Sequence, residues 1–535
     1  MIPQYCLDIW RLLPLVLRRR TILLYKIKLP REINQYELEE LVKVFLKAGE
    51  YTFITEPNTV DTTDANTSGE IEPNADALNQ VTSVANGNPK PEADVLISVP
   101  SDPDFTVRTG DQENKNKLKA EEKPEKNSKN QMKRFLFREL ERLTGTTPDW
   151  GILTGVRPVK LAGELLQREG SLKEVREILS ADYFLAEEKI QLLIDIVDCQ
   201  KQIVKQSPSE AIGLYIGIPF CPTRCVYCSF PSNQGKPEQI EAYLEALHQE
   251  IAYTAENMRK KGWYPETIYI GGGTPTTLLP EQLDRLLYHV YEAFDLSKLR
   301  EFTVEAGRPD TITPEKLAVI KKYKIDRISI NPQSMNALTL ERIGRNHSPE
   351  DIKEAFRMAR AAGIPQINTD LIAGLPDESE ADFVTTLEQI LDLAPENITI
   401  HTLALKRASK LKEIDSEFNY KQGKKVRAML DQAKEMLDRG GFHPYYLYRQ
   451  KQMTGNFENV GYAKENTEGI YNIRIMEEAQ TIIALGAGGI SKAWYPEENR
   501  LERIPNVSNY EIYIERLDEM LQRKTDNLFE EVKEC

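Results

Sequence analysis

Residues 215–230, "YIGIPFCPTRCVYCSF", place three of the chain's six cysteines, Cys221, Cys225 and Cys228, in a C-x3-C-x2-C pattern. Thiolates bind soft metals and iron–sulfur clusters. The spacing i, i+4, i+7 would also put three side chains on one stripe of a helix. Pro222 and Arg224 interrupt such a stripe, and the segment follows an apolar run that reads as a strand just ended. A structural zinc site asks for four protein ligands. Here Cys6, Cys199 and Cys535 are remote in sequence, and no histidine closely follows Cys228. Three thiolates on a four-iron cluster leave one iron open, where a substrate or cosubstrate can bind.

Outward from the cysteines a rhythm appears. "LYIGIPF", "TIYIGGG", "EFTVEAG", "RISINPQ", "INTDLIAG" and "ITIHTLAL" read as short apolar strands, and helical patterns such as 236–260, 280–295, 350–362 and 378–393 lie between them. Strands alternating with helices predict an α/β fold with a parallel sheet, closed or open as a partial (β/α)6 barrel. Functional residues then belong at the carboxyl ends of the strands. The cysteines, "GGGTPT" (271–276), Glu305, Gln333 and Asp370 all fall at or just past those ends. Glycines let a ligand approach the backbone, and exposed N–H and C=O groups of such a turn grip polar ligands. A tight strand-to-helix turn accounts for the same glycines. Glu305 and Asp370 read equally well as structural ion-pair members, and Arg345 as a solvated helix residue.

The cysteine pattern, with Tyr227 before the last thiol, resembles the radical S-adenosylmethionine family. "YxxxPFCxxxCxYC", "GGGTPT", the Glu ending the third strand, "NPQS", an Arg twelve residues after that Gln, and "NTDLIAGLP" are similar to oxygen-independent coproporphyrinogen III oxidases. The resemblance covers about 210–410 well and runs more faintly to about 495. It implies that Cys221, Cys225 and Cys228 hold a [4Fe-4S] cluster and that one or two molecules of S-adenosylmethionine bind beside it. Tyr215 and Tyr227 would contact the cofactor near the cluster. Gly272, Gly273 and Thr274 would line its methionine end. Glu305, Gln333, Arg345 and Asp370 would contact bound S-adenosylmethionine, and Ala404 and Ile490 would complete the pocket.

The same resemblance implies the reaction. A 5'-deoxyadenosyl radical would convert coproporphyrinogen III propionates to vinyls, giving protoporphyrinogen IX in haem biosynthesis, with a reductase or flavodoxin-type protein as electron donor. Two breaks stand out: Gly217 replaces the histidine of the usual Tyr-x-His-x-Pro-Phe-Cys, and "YYLYRQKQMTGNFENVGYA" departs from a His-Asn-containing stretch. With "WGILTGVRPVKL" they make the chain most similar to the HemZ-type branch of coproporphyrinogen dehydrogenase-like proteins. A haem chaperone and a radical methyltransferase on the same scaffold are the alternatives; a zinc-bound structural protein is the plainer one. His248, His289, His347, His401 and His443 show no metal-like spacing. His401, near the barrel mouth, reads as a rim histidine or a proton relay.

The flanks divide the remaining chain. Residues 1–107 read as a small α/β module, from "TILLYKIKLP", "YELEELVKVFLKAG", "YTFITE" and "ADVLISV", with a disordered acidic insert at about 57–93;. Residues 108–207 read as a charged linker followed by a helical region, 208–425 as the barrel and 426–535 as a C-terminal α+β module. Within 108–207, "GTTPDWGILTGVRPVKL" is a loop between helices or a docking loop offering Arg157 and Lys160 to carboxylates;.

Bulk properties exclude several classes. At 535 residues the chain has material for more than one domain, and 40% hydrophobic with 28% charged residues is ordinary for a globular protein;. A net charge of −14 without a basic patch argues against nucleic acid as a partner;. Residues 56–107, with ten acids and one base, carry −9 of that charge. No run approaches the roughly 18 apolar residues of a membrane span. Six cysteines are too few for a disulfide framework at this length, so a reducing cytoplasm is expected;.

Overall fold

A computed structural model describes residues 25–29, 35–46, 50–55, 95–98, 124–154, 157–205, 208–230, 232–404, 422–450 and 456–530. The expected insert at 57–93, the first twenty residues, Cys6 and Cys535 lie outside the described residues. Two compact units emerge, Met1–Thr154 and Gly155–Cys535. The boundary between them falls inside the 108–207 segment read from the sequence as one piece.

The first unit contains a parallel sheet of β1 (Tyr25–Leu29), β2 (Tyr51–Thr55) and β3 (Val95–Ser98), in the order β2-β1-β3. Helices Gln35–Phe45 and Pro124–Thr144 accompany it. They meet through Phe45 and Phe137, edge to face with ring centroids 5.3 Å apart;.

The six strands expected from the sequence form the centre of the second unit: β4 (Ala211–Ile218), β5 (Tyr264–Gly272), β6 (Glu301–Glu305), β7 (Arg327–Ser329), β8 (Gln366–Ala373) and β9 (Asn397–Thr402). They pair in chain order and in parallel, as a partial (β/α)6 barrel. Their runs are apolar on both faces because helices cover one side and the barrel interior the other. Leu214, Ile216, Ile270, Val304, Ile328 and Ile367 are fully buried. The covering helices begin where local chemistry favours it. Ser348 and Ser379 cap helices Pro349–Ala361 and Glu380–Asp392, with Asp351 and Asp382 closing reciprocal capping boxes;. Proline opens the helices at 237, 280, 314 and 349, where no backbone donor is needed;.

Strands after 425 extend this same sheet. β10 (His443–Tyr448) and β11 (Asn459–Ala463) add antiparallel at the β9 edge, while β12 (Ile482–Leu485) joins β4 in parallel and carries β13 (Ile490–Tyr495) and β14 (Arg500–Pro505). The result is an 11-stranded sheet in the order β10-β11-β9-β8-β7-β6-β5-β4-β12-β13-β14. Helix Glu187–Lys205 packs on β10, where Gln200 Nε2 donates to Tyr445 O at 2.8 Å. The two cations of the 145–161 segment are both engaged: Arg157 pairs with Glu478, and Lys160 lies 4.9 Å above the Trp494 ring. Among the described residues no helix is long and apolar enough to cross a membrane.

Candidate active site

The carboxyl ends of β4 to β9 surround a cavity of about 470 Å³. Its lining contains Cys221, Cys225, Cys228, Tyr215, Tyr227, Gly272, Gly273, Thr274, Glu305, Gln333, Arg345, Asp370 and Ala404. Ile490 is not on this wall and is 47% exposed at the start of β13. The glycines before it serve packing instead: a Cβ on Gly486, at φ +89°, would come within 2.4 Å of the Tyr243 hydroxyl.

The cysteine segment is pinned at both ends. Cys221 N–H donates to Asn233 O at 2.9 Å, and Asn233 N–H donates to Pro219 O at 3.0 Å. Val226 N–H donates to Ile343 O at 3.1 Å, which ties the segment to the loop carrying Arg345. Cys221 Sγ lies 3.4 Å from Thr274 Oγ1, and Arg308 Nη1 lies 3.8 Å from Cys225 Sγ. As a free thiol Cys221 is pushed up to about 11, chiefly by burial. A thiol held that high is a poor nucleophile at neutral pH, whereas a coordinated metal removes its proton outright. Three thiols converging on one cavity, with Cys221 a poor free nucleophile, suit a metal centre better than covalent catalysis.

The glycine turn leaves a cradle beside those sulfurs. Gly273 N–H donates to Ile218 O and Thr274 N–H to Phe220 O, both at 2.7 Å. A Cβ on Gly273 would sit 2.5 Å from Phe220 O and 3.0 Å from Cys221 Sγ. Any side chain there would fill the space next to the thiol. Three lining residues carry a buried polar atom with no hydrogen-bond partner among the described residues, Arg345 Nε, Asn331 Oδ1 and Ser232 Oγ, and Asn368 Oδ1, on the residue whose amide donates to Asp370, is a fourth such atom. Unsatisfied buried donors and acceptors at one place fit a polar ligand. The residues present fit a cluster on the three cysteines with a polar cofactor beside it.

The acidic groups are set apart in character. Glu305 is pushed up to about 7, chiefly by burial, although the Tyr269 hydroxyl donates to Oε1 at 2.6 Å and opposes the shift. Asp370 is held below the usual carboxylate range: burial works against it, but hydrogen bonding to His401 prevails. His401 Nε2 lies 3.6 Å from Asp370 Oδ2, and the Tyr448 hydroxyl lies 3.2 Å from His401 Nδ1. Two carboxylates pushed in opposite directions are a basis for proton transfer at neutral pH. Gln333 adopts a left-handed φ of +71°, rare for a residue with a side chain;. Its N–H donates to Asp370 O at 3.0 Å and its carbonyl accepts from Ile372 N–H at 3.1 Å.

Several wall residues were not singled out from the sequence. Tyr269 stacks between Tyr215 and Tyr471, with centroids 6.3 and 4.7 Å away. Arg308 and Asn331 follow β6 and β7, so their position past strand ends was a usable signal. Tyr448, Tyr471 and Asn472 arrive from the C-terminal strands and helix, where no barrel rhythm announces them.

Residues 215–390 match the sequence model of the Radical SAM superfamily. Over 404 residues the chain is 42% identical to the oxygen-independent coproporphyrinogen-III oxidase-like protein HemZ of Bacillus subtilis (strain 168), covering 75% of this chain and 81% of that protein. It is 35% identical over 201 residues to the heme chaperone HemW of Lactococcus lactis subsp. lactis (strain IL1403), covering 37% of this chain and 50% of that protein. Among solved structures, coproporphyrinogen III oxidase (HemN) from Escherichia coli aligns with 60% of this chain and 72% of its own, at 23% identity and a TM-score of 0.47.

Proposed function

Because the chain belongs to the radical SAM superfamily, in the HemZ-like branch, we propose that it decarboxylates propionate side chains of a porphyrinogen oxidatively, with coproporphyrinogen III as substrate. One observation carries this reading: a single cavity joins the three cysteines to the glycine turn and to two carboxylates of opposite character. When bound, the cluster and S-adenosylmethionine supply a carbon-centred radical that abstracts a hydrogen atom. Cys221, Cys225 and Cys228 hold the cluster. Gly272, Gly273 and Thr274 leave room for the methionine end of the cofactor, and Arg345 offers its free Nε donor to a carboxylate;. Glu305, Gln333 and Asp370, which line the same cavity, would orient the cofactor. His401, held by Asp370 and Tyr448, stands where a proton can pass between the cavity and the rim. Each propionate would then lose one hydrogen atom to the deoxyadenosyl radical, one CO2, and one electron to an external one-electron acceptor, to become a vinyl. A reductase or flavodoxin-type protein in a reducing cytoplasm supplies the electron that starts each turnover.

The test is anaerobic. Protein reconstituted with iron and sulfide is reduced and given S-adenosylmethionine with and without coproporphyrinogen III. Substrate-dependent 5'-deoxyadenosine, CO2 and a vinyl product are expected. Deoxyadenosine with unchanged porphyrinogen would keep the radical chemistry and remove this substrate. Gly217 makes the substrate arm the sharper one. A Cβ there would meet Leu485 O and the Tyr215 ring at an ordinary 3.4 Å, so packing does not enforce glycine in place of the oxidases' histidine.

A haem-binding role is the second reading, favoured by the relative named heme chaperone. His401 is the only histidine among the described lining residues, and Asp370 and Tyr448 already engage it. Tight haem binding without decarboxylation, lost in His401→Ala, would favour this reading.

A further inference from the structure

A second group of metal-ligating side chains lies away from the cavity. The ligand atoms of Cys199, His443 and Glu468 all fall within 4.8 Å of one another, and no other such trio occurs among the described residues. We propose that these three residues form a second metal site, which takes one divalent cation of the zinc class with water as its fourth ligand.

Each ligand comes from a different and fixed element. Cys199 lies in helix Glu187–Lys205 and packs against the buried cluster of Tyr445, Tyr446 and Ile473. His443 opens β10 and pairs in register with Ala463 of β11. Glu468 follows a pinned turn: Thr467 N–H donates to Lys464 O at 3.1 Å, and Thr467 O accepts from Asn397 Nδ2 at 2.7 Å and Arg327 Nη2 at 2.8 Å. Ligands on rigid elements lose little entropy when a metal binds.

The donor set selects the cation. One thiolate, one imidazole and one carboxylate suit zinc and its soft or borderline neighbours; calcium and magnesium prefer oxygen alone. A tetrahedral zinc with bonds near 2.0–2.3 Å separates its ligands by ~3.5 Å. His443 Nε2 and Glu468 Oε1 now stand 2.8 Å apart as a hydrogen-bonded pair. Sub-ångström opening of that pair, with the half-buried Cys199 already hydrogen-bonding the same imidazole, would complete the set. Three protein ligands with an open fourth position match a zinc site that water or an incoming group completes.

The placement gives the cation a task. β10 runs from His443 to Tyr448, which lines the cavity, on the order of 17 Å along the strand;. Glu468 stands one residue before Gly469, the N-cap of helix Ile470–Glu477, whose Tyr471 and Asn472 also line the cavity. A metal here would tie helix Glu187–Lys205 to both elements and brace that wall from behind.

Zinc content tests the proposal. Full-length protein is first loaded with its iron–sulfur cluster under anaerobic conditions, so that Cys221, Cys225 and Cys228 are occupied. It is then titrated with Zn2+, and iron and zinc are measured by mass spectrometry. One zinc per chain is expected beyond the iron, with affinity falling by about a hundredfold or more in Cys199→Ser and His443→Gln while iron stays unchanged. No zinc in the folded wild type, or equal zinc in both variants, would overturn the proposal. Should the variants fail to fold by circular dichroism, Co2+ on the cluster-loaded wild type decides. A thiolate-to-cobalt charge-transfer absorption upholds the site, and its absence removes it. These readouts do not depend on whether a porphyrinogen is turned over.

Discussion

Arg345 Nη2 donates to the Tyr227 hydroxyl at 2.9 Å, a contact that joins the segment after β7 to the cysteine segment after β4. Nη1 of the same guanidinium donates to Gly307 O at 2.9 Å and Asn331 O at 3.0 Å. One buried cation thus holds the ends of three barrel strands around the cavity, and its Nε has no partner among the described residues. A lysine offers a point charge and cannot reproduce that planar set of donors. Arg345→Lys is expected to lower S-adenosylmethionine affinity by about tenfold or more, since hydrogen bonds to charged groups contribute about 1.5–3 kcal/mol each. Tyr227→Phe removes one neutral acceptor and should cost ~1 kcal/mol of stability. Equilibrium binding to the reconstituted protein and urea unfolding check the pair. Unchanged affinity in Arg345→Lys would show that the arginine is purely structural.

Gly273 and Gly163 form a matched contrast. A Cβ on Gly273 would stand 2.5 Å from a backbone oxygen and 3.0 Å from Cys221 Sγ, whereas one on Gly163 meets nothing within 4 Å. Gly273→Ala must displace either the cysteine segment or the turn itself. Loss of most of the reconstituted iron is expected, together with a lowered midpoint of unfolding. Gly163→Ala lies inside helix Pro158–Glu169 and should stabilise by roughly 0.5–1 kcal/mol with iron unchanged;. Iron analysis of both variants separates a local steric effect from general fragility. Normal cluster content in Gly273→Ala would refute the cradle.

A buried ion pair secures the C-terminus to the barrel. Lys524 Nζ lies 2.6 Å from Glu250 Oε1, with both side chains at 0% exposure. Glu250 also accepts from Tyr513 Oη at 2.6 Å, Gly486 N–H at 2.6 Å and Asn506 Nδ2 at 2.9 Å. Truncating one partner leaves a desolvated charge, which costs about 3–5 kcal/mol. Lys524→Met should therefore destabilise severely. The double variant Lys524→Met/Glu250→Gln should recover part of that loss, because no buried charge then stands alone. Urea unfolding of the single and double variants measures the coupling; additive losses would contradict it.

How much of this was legible in the sequence follows from the range of each interaction. Strand and helix periods are local, so "TIYIGGG" and "EFTVEAG" disclosed β5 and β6, and strand-end logic placed Glu305 and Asp370 on the cavity. Pairing partners are not local. Nothing in "TIIALG" indicates that β12 lies beside β4, or that strands after 425 extend both edges of one sheet. Ile490 was placed on the pocket by the family resemblance alone, and the fold instead sets it at the start of β13, off the cavity wall, while a Cβ on the nearby Gly486 would meet the Tyr243 hydroxyl. His443 has no metal-like spacing because its two companions are far away in the chain, on other elements. The Arg345 loop was found through the cysteine family's motif order, and its hydrogen-bond partners required the fold.

Glu305 makes stability depend on pH in a direction that can be stated. Its carboxyl is pushed from an ordinary 4.5 up to about 7, chiefly by burial, with the charge of Asp370 adding to the shift. The folded state therefore binds this proton more tightly than the unfolded chain does. The stability it contributes is complete below pH ~4.5 and is lost as pH rises to ~7, on the order of 3 kcal/mol across that window. Glu378 and Glu477, also raised to about 7, add slopes of the same sign, so the wild-type curve alone does not isolate the group. Glu305→Gln retains an acceptor for the Tyr269 hydroxyl and removes the titration. In cluster-free protein, urea unfolding at pH 5 and pH 8 should show a smaller loss of stability for Glu305→Gln than for wild type, by up to about 3 kcal/mol. Parallel losses in the two proteins would mean that Glu305 ionises normally in the fold, and the contrast it forms with Asp370 would fail.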